Sequence, residues 1–200
     1  KFTHSCVLIQ HQATSVLFDP GIFSWNSGLV DVEALPQLDF IVVSHKHGDH
    51  MAEPFVRALI SRFPDVQWIA PSDAHEDLKS WGVTNITNQS TGPIDVMEVD
   101  HAPVEPFGVQ VKNLVINWKG CVTFPGDSLD IDASQPVLLL PIQAPWGTTV
   151  HALKLADQLK PKYVLPVHDW MWNEAWRQDC YNRFDAVLSP TGTTFLRPKD

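Results

Sequence analysis

Residues 38 to 44, Leu-Asp-Phe-Ile-Val-Val-Ser, are apolar and β-branched almost throughout, and the next six residues are His-Lys-His-Gly-Asp-His. The first run reads as a central strand covered on both faces, because a half-exposed strand would alternate apolar with polar residues. It therefore delivers His45, His47, Asp49 and His50 to the carboxyl edge of a sheet, where open α/β folds place their sites. His45 and His47 are two apart, so extended backbone points them the same way, with Lys46 opposite. Gly48 is expected to permit the tight turn that swings Asp49 and His50 back toward the same spot. Imidazole and carboxylate are ligands for zinc, and also for manganese or ferrous iron.

The rest of the chain alternates short strands with helices. Strands are expected at 6–11, 14–21, 66–70, 136–142, 162–168 and 193–198, and helices at 53–63, 72–81, 149–160 and 173–188. Ser72 is placed to cap its helix, and Gly82 to stop it. In the 173–188 helix, Trp176, Cys180, Phe184 and Val187 are expected inward. Residues 84 to 124 lack helical periodicity and read as several strands, one over 107–118. This mixture implies an α/β fold: two sheets packed together, with helices on the outside of both. A length of 200 residues suits one domain spanning 1–200.

One metal needs at least three ligands, so the cluster calls for partners at other strand ends. His101, Asp127 and His168 each close an apolar run, as the first cluster does. Asp19 ends the strand before Pro20 and could orient a ligating histidine. Trp146, Trp170 and Trp172 lie close in sequence to the expected site, and Phe23 and Trp25 could join them from the loop after Asp19, to receive an apolar chain or stack on a sugar or base.

Composition narrows the partners. The net charge of -9, with 14 basic against 23 acidic residues and no basic run, argues against nucleic acid. No apolar stretch approaches the roughly 20 residues that cross a bilayer, so no membrane partner is expected. Three separated cysteines make no disulfide framework and fit a reducing compartment, hence a cytoplasmic location. The chain starts at Lys1 and not Met, and residues ahead of it are compatible with that.

With these residues in place, the sequence resembles the metallo-β-lactamase-fold hydrolases. The resemblance rests on His-Lys-His-Gly-Asp-His at 45–50, on His101, on Pro-Gly-Asp-Ser with Asp127, and on Leu-Pro-Val-His-Asp-Trp with His168, in the family's order across nearly the whole chain. Further matches, such as Thr-His-Ser-Cys-Val-Leu-Ile at 3–9, are to a compact branch similar to L-ascorbate-6-phosphate lactonase. The resemblance implies a four-layer αββα sandwich of two mixed sheets. It assigns His45, His47 and His101 to one metal, and Asp49, His50 and His168 to a second, with Asp127 shared between them. It also implies a role for His4, although Thr3 stands where relatives often carry glycine.

The cofactors implied are two divalent ions, Zn2+ first, with Mn2+ or Fe2+ as alternatives. The expected reaction is attack by a hydroxide bridging the two metals on a small-molecule ester, lactone or phosphodiester, with Asp49 orienting the water and receiving its proton. Two alternatives are a phosphodiesterase and a metal-containing binding or sensor protein without turnover. The partner is then a small molecule, and a homo-oligomer is compatible with this reading.

Overall fold

The computed structural model describes residues 1–104, 106 and 108–198. The first sheet holds β1 (Val7–His11), β2 (Thr14–Phe18), β3 (Phe40–Val42), β4 (Gln67–Ile69) and β5 (Ile86–Thr87) in that order. β1 and β2 pair antiparallel and the others parallel. The second sheet runs from β6 (Ile94–Asp100) through β7 (Lys112–Trp118), β8 (Val122–Phe124), β9 (Val137–Pro141) and β10 (Tyr163–Val167) to β11 (Thr194–Phe195). There β6, β7 and β8 pair antiparallel and the remainder parallel.

The strand period of two sorts the apolar residues into layers. Leu17, Ile41 and Trp68 are cross-strand neighbours, as are Phe18, Val42 and Ile69. The first row packs beneath α2 (Glu53–Arg62) and α3 (His75–Ser80), with Phe55, Leu59 and Leu78. The second row faces the other sheet and meets Leu114, Ile116, Phe124 and Leu139. On the far side of the second sheet, Leu138, Leu140 and Val164 pack under α4 (Thr149–Leu159) and α5 (Glu174–Leu188). Three apolar seams between four layers follow, which is the expected αββα sandwich. No described helix is long and apolar enough to cross a membrane.

Several local expectations are corrected. A helix absent from the sequence reading, α1 (Ile22–Ser27), follows β2. Ser72 caps nothing; its N–H and hydroxyl both donate to the Glu98 carboxylate on the other sheet, at 2.6 and 2.8 Å. In α5 the buried face is Cys180, Tyr181, Phe184 and Leu188, while Trp176 and Val187 stand 50% and 44% exposed. The strand expected over 107–118 begins at Lys112, and Phe107 lies outside the described residues.

The two sheets join at one edge. Past β3, Ser44 and His45 run beside β7: the Leu114 N–H donates to the Ser44 carbonyl at 2.8 Å, and His45 bridges to Asn113. Asn113 in turn donates to the Pro125 carbonyl and accepts from the Asp127 N–H, at 2.9 and 3.0 Å. Gly126 makes this closeness achievable. Its φ is +59°, and a Cβ there would sit 2.1 Å from Asn113 Oδ1 and 2.9 Å from Ser44 Cβ. Gly126→Ala should therefore lower stability by about 2–4 kcal/mol through a strained backbone and displacement of Asn113. Denaturant unfolding measures this, and a loss under about 0.5 kcal/mol, the range of an ordinary surface change, would contradict it.

Candidate metal centre

β2, β3, β6, β8 and β10 point the same way within their sheets, so the residues just past their ends share one edge. Those residues are Asp19, His45 to His50, His101, Asp127 and His168. The loop after β3 turns back on itself, with the His50 and Met51 N–H groups donating to the His47 carbonyl at 2.9 and 2.8 Å. Gly48 is not the glycine that this turn requires, since its φ is not positive and a Cβ would meet open space. The required one is Gly21 on the neighbouring loop, where a Cβ would lie 1.7 Å from the Asp49 carbonyl oxygen. The loops are clamped by the Ile22 N–H on the Gly48 carbonyl and the Ala52 N–H on the Pro20 carbonyl, at 2.8 and 3.0 Å.

Asp19 anchors the cluster from below. It is fully buried and accepts from the Ser44 N–H and the Ser44 hydroxyl, each at 2.7 Å, and from His50 Nδ1 at 2.6 Å. His45 Nδ1 lies 3.0 Å from the Ser44 hydroxyl oxygen, which continues the chain of bonds to Asp19. His101 Nδ1 and His168 Nδ1 donate to the carbonyls of Ala102 and Gln143, at 2.5 and 3.2 Å. With each Nδ1 held in this way, the Nε2 atoms of four histidines are directed to a common centre.

Asp127 lies at that centre, 3% exposed. Its Oδ2 is 3.3 Å from His101 Nε2 and 3.7 Å from His45 Nε2. Its Oδ1 is 2.8 Å from His168 Nε2 and 3.4 Å from His50 Nε2. One carboxylate thus faces a different pair of imidazoles with each oxygen. His47 stands beside the first pair, its ring centroid 4.8 Å from those of both His45 and His101. Asp49 stands beside the second, with Oδ2 3.5 Å from His50 Nε2.

His4 completes the second group. Its backbone is left-handed, at φ +58°, and Ser24 of α1 fixes the segment by donating to the Thr3 carbonyl at 2.7 Å. The Nε2 atom of His4 lies 3.1 Å from Asp49 Oδ2, and its ring centroid is 4.1 Å from that of His168. Donor atoms of His45, His47 and His101 lie within 4.8 Å of one another, and so do those of His4, Asp49, His50 and His168.

The donor chemistry fits divalent cations. His50 and His168 bring Nε2 to Nε2 at 2.9 Å, a separation that needs a proton or a cation between the lone pairs. The buried His45 Nε2 makes no hydrogen bond, and neither does Asp127 Oδ1 despite its 2.8 Å approach to His168 Nε2, a costly condition unless another electrophile engages them. The electrostatics point the same way. Burial opposes charge on His50, yet Asp127, Asp49 and Asp19 outweigh it and raise its pKa to about 10. Burial also opposes charge on Asp49 and Asp127, and the surrounding histidines nevertheless hold both carboxyls below their usual range. Burial and then His168 depress His4 to about 4, and burial keeps His45 well below its ordinary value.

Of the aromatic candidates, Trp146 joins the site. Its indole N–H donates to Asp127 Oδ2 at 3.0 Å, and its ring walls the cleft. Trp170 does not line the cleft above Asp127; it stands 41% exposed over a neighbouring hollow near Lys1 and Tyr181. Its neighbours Met171 and Phe23 do line the cleft. Asp169 turns away, accepting from Lys1 Nζ at 2.5 Å and from the Tyr181 hydroxyl. Sequence reasoning passed over Ser24, Ser44 and Asn113, whose hydrogen bonds leave no spacing signature.

A family model described as a beta-lactamase superfamily domain matches residues 1–168. Protein Rv0786c of Mycobacterium tuberculosis is 27% identical over 177 residues, covering 84% of this chain and 81% of the relative. The UPF0173 metal-dependent hydrolase NEQ378 of Nanoarchaeum equitans is 25% identical over 190 residues, covering 84% and 82%. The metallo-beta-lactamase fold protein YhfI of Bacillus subtilis aligns with a TM-score of 0.68 at 17% identity, covering 98% of this chain and 89% of that one. An isothiocyanate hydrolase from Delia radicum gut bacteria aligns at 0.70 and 15%, covering 100% and 95%. Both structures share the fold described above.

The histidine shifts give the metal-free protein a defined pH response. His4 folds with a pKa near 4 against an ordinary 6.5, so the unfolded chain takes up that proton first, and stability falls from about pH 6.5 toward 4. His50 folds with a pKa near 10, so its contribution is complete below about 6.5 and fades as pH rises to 10. Thermal melts of chelator-treated protein should peak near pH 6.5. A midpoint that climbed steadily from pH 6.5 to 10 would contradict the assignment.

Proposed function

This chain belongs to the beta-lactamase superfamily and is one of its metal-dependent hydrolases; on that premise we propose that it cleaves a small-molecule ester, lactone or phosphodiester at a two-cation centre. The observation that carries this reading is Asp127, each of whose oxygens faces its own set of nitrogen donors. His45, His47 and His101 would hold one cation, and Asp49, His50 and His168 the other, with Asp127 common to both. Zn2+ suits a site of imidazoles and carboxylates best, and Mn2+ or Fe2+ would also be accepted. Divalent cations, when bound, supply the Lewis acidity that acidifies water and draws electron density from the reacting group's oxygens.

The chain's own residues do the positioning. Asp49 is 30% exposed in its side chain and borders the cleft, so it can accept a hydrogen bond from the attacking water and receive its proton. His4 Nε2 holds the same carboxylate oxygen and so fixes Asp49's orientation. Trp146 pins Asp127 through its indole N–H and shields that side of the centre from solvent. Asp19 fixes the tautomer of His50, and through Ser44 that of His45.

The resemblance of residues 3–9 to a lactonase-like branch, a likeness of sequence alone, supports a cyclic ester as one electrophile for such a site. The acidic surface fits a small-molecule partner better than nucleic acid. The three buried free cysteines fit a cytoplasmic setting.

Two substitutions test the shared anion and the proton acceptor. Asp127→Asn removes the shared anion, so bound metal, measured by elemental analysis, and hydrolysis should fall together; retention of both would remove Asp127 from the centre. Asp49→Ala should lower kcat by about 10²–10⁴-fold, with a smaller change in KM. An unchanged kcat would assign the proton to another group.

A further inference from the structure

The cleft above Asp127 has a volume of about 200 Å³, and its walls differ sharply from its floor. The floor is His47, Asp49, His101, Asp127 and His168. The walls are Phe23, Val104, Pro145, Trp146 and Met171, with no lysine or arginine among the described lining residues. The apolar surface continues outward: Met171 is 63% exposed, and the Phe23 ring centroid is 6.3 Å from that of the exposed Trp170. Lys154 and His151 border an adjoining cavity of about 620 Å³ that shares His101 and Trp146 with the cleft. That cavity also carries Asp100 and Asp130, which offset them.

A phosphodiester keeps a negative charge on its non-reacting oxygen and usually meets cationic or N–H donors there. Here the group beside the reacting centre would meet an indole, a phenyl ring and a thioether, on a protein of net charge -9. Such walls reward removal of apolar surface from water and offer nothing to an anion. Phe23 comes from α1 and Met171 from the loop after β10, so two segments far apart in the chain supply the walls.

Resting on the hydrolase reading, we infer that the substrate is a carboxylic ester or lactone whose acyl side is neutral and apolar, seated between Phe23 and Met171 against Trp146. The reaction adds water across the acyl C–O bond. The water oxygen bonds to the carbonyl carbon, the bond to the alkoxy oxygen breaks, and the alkoxy oxygen leaves with a proton. One acid and one alcohol result, joined in a single hydroxy acid when the substrate is a lactone. Phe23 and Met171 are specificity-determining residues and carry no part of the proton transfer.

The test uses zinc-reconstituted protein and two readouts. Calorimetric titration with the unreactive amides butanamide, pentanamide and hexanamide should show binding about three- to four-fold tighter per added methylene. In p-nitrophenyl esters of the same acyl lengths, kcat/KM should rise in parallel and exceed that for bis(p-nitrophenyl) phosphate. Met171→Asp and Phe23→Asp should flatten both trends while zinc content stays at the wild-type value. Length-independent amide binding in the wild type would overturn the inference, and so would faster cleavage of the phosphodiester than of every ester. Chain-length-dependent binding without cleavage of any ester would leave the apolar seat standing and defeat the hydrolase reading instead.

Discussion

Asp127 is a carboxylate almost sealed from water, with imidazoles on both of its oxygens and an indole N–H on one of them. Burying an anion is costly unless positive charge or directed donors meet it. The chain provides donors in abundance, but it orients their lone pairs inward and spends their N–H groups on carbonyls, Ser44 and Asp19. That choice makes the cluster suited to cations rather than to a self-contained salt-bridge network. Much of the surrounding architecture serves it: the seam at Ser44, Asn113 and Gly126 brings the two sheets together, and Gly21 lets the 45–50 loop lie against the end of β2.

The fold was legible wherever burial imposes a strict period. The 38–44 run gives β3 because both of its faces are covered, by α2 and α3 on one side and the second sheet on the other. The donor residues were legible because each directly follows an apolar run, and parallel strands bring such positions to one edge. α1 escaped notice because six residues without a side-chain cap leave too short a pattern. In α5 the apolar residues spread over more than half the circumference, so Trp176 and Val187 lie on one flank of the stripe and Tyr181 on the other.

Other parts could not be read because they depend on contacts between distant segments. Ser72 has the chemistry of a cap, yet Glu98 from the opposite sheet competes for its hydroxyl and wins with a charge-assisted bond. Gly48 looked essential to the turn, whereas the close approach that forbids a side chain occurs at Gly21, 27 residues earlier in the chain. Of the tryptophans expected near the site, Trp146 alone lines the cleft among the described residues, because its indole finds Asp127. Spacing alone could not distinguish it from Trp170. The division between a polar floor and apolar walls was likewise beyond the sequence, since Phe23, Val104 and Met171 come from three separate loops and helices.

Each Asp127 oxygen faces its own pair of imidazoles, and from this we infer two cations that share the carboxylate. Anomalous X-ray diffraction at the zinc absorption edge, on crystals of zinc-reconstituted protein, tests this inference most directly. Two peaks are expected, one among His45, His47 and His101 and one among Asp49, His50 and His168, with Asp127 between them. A single peak, or peaks away from Asp127, would contradict it.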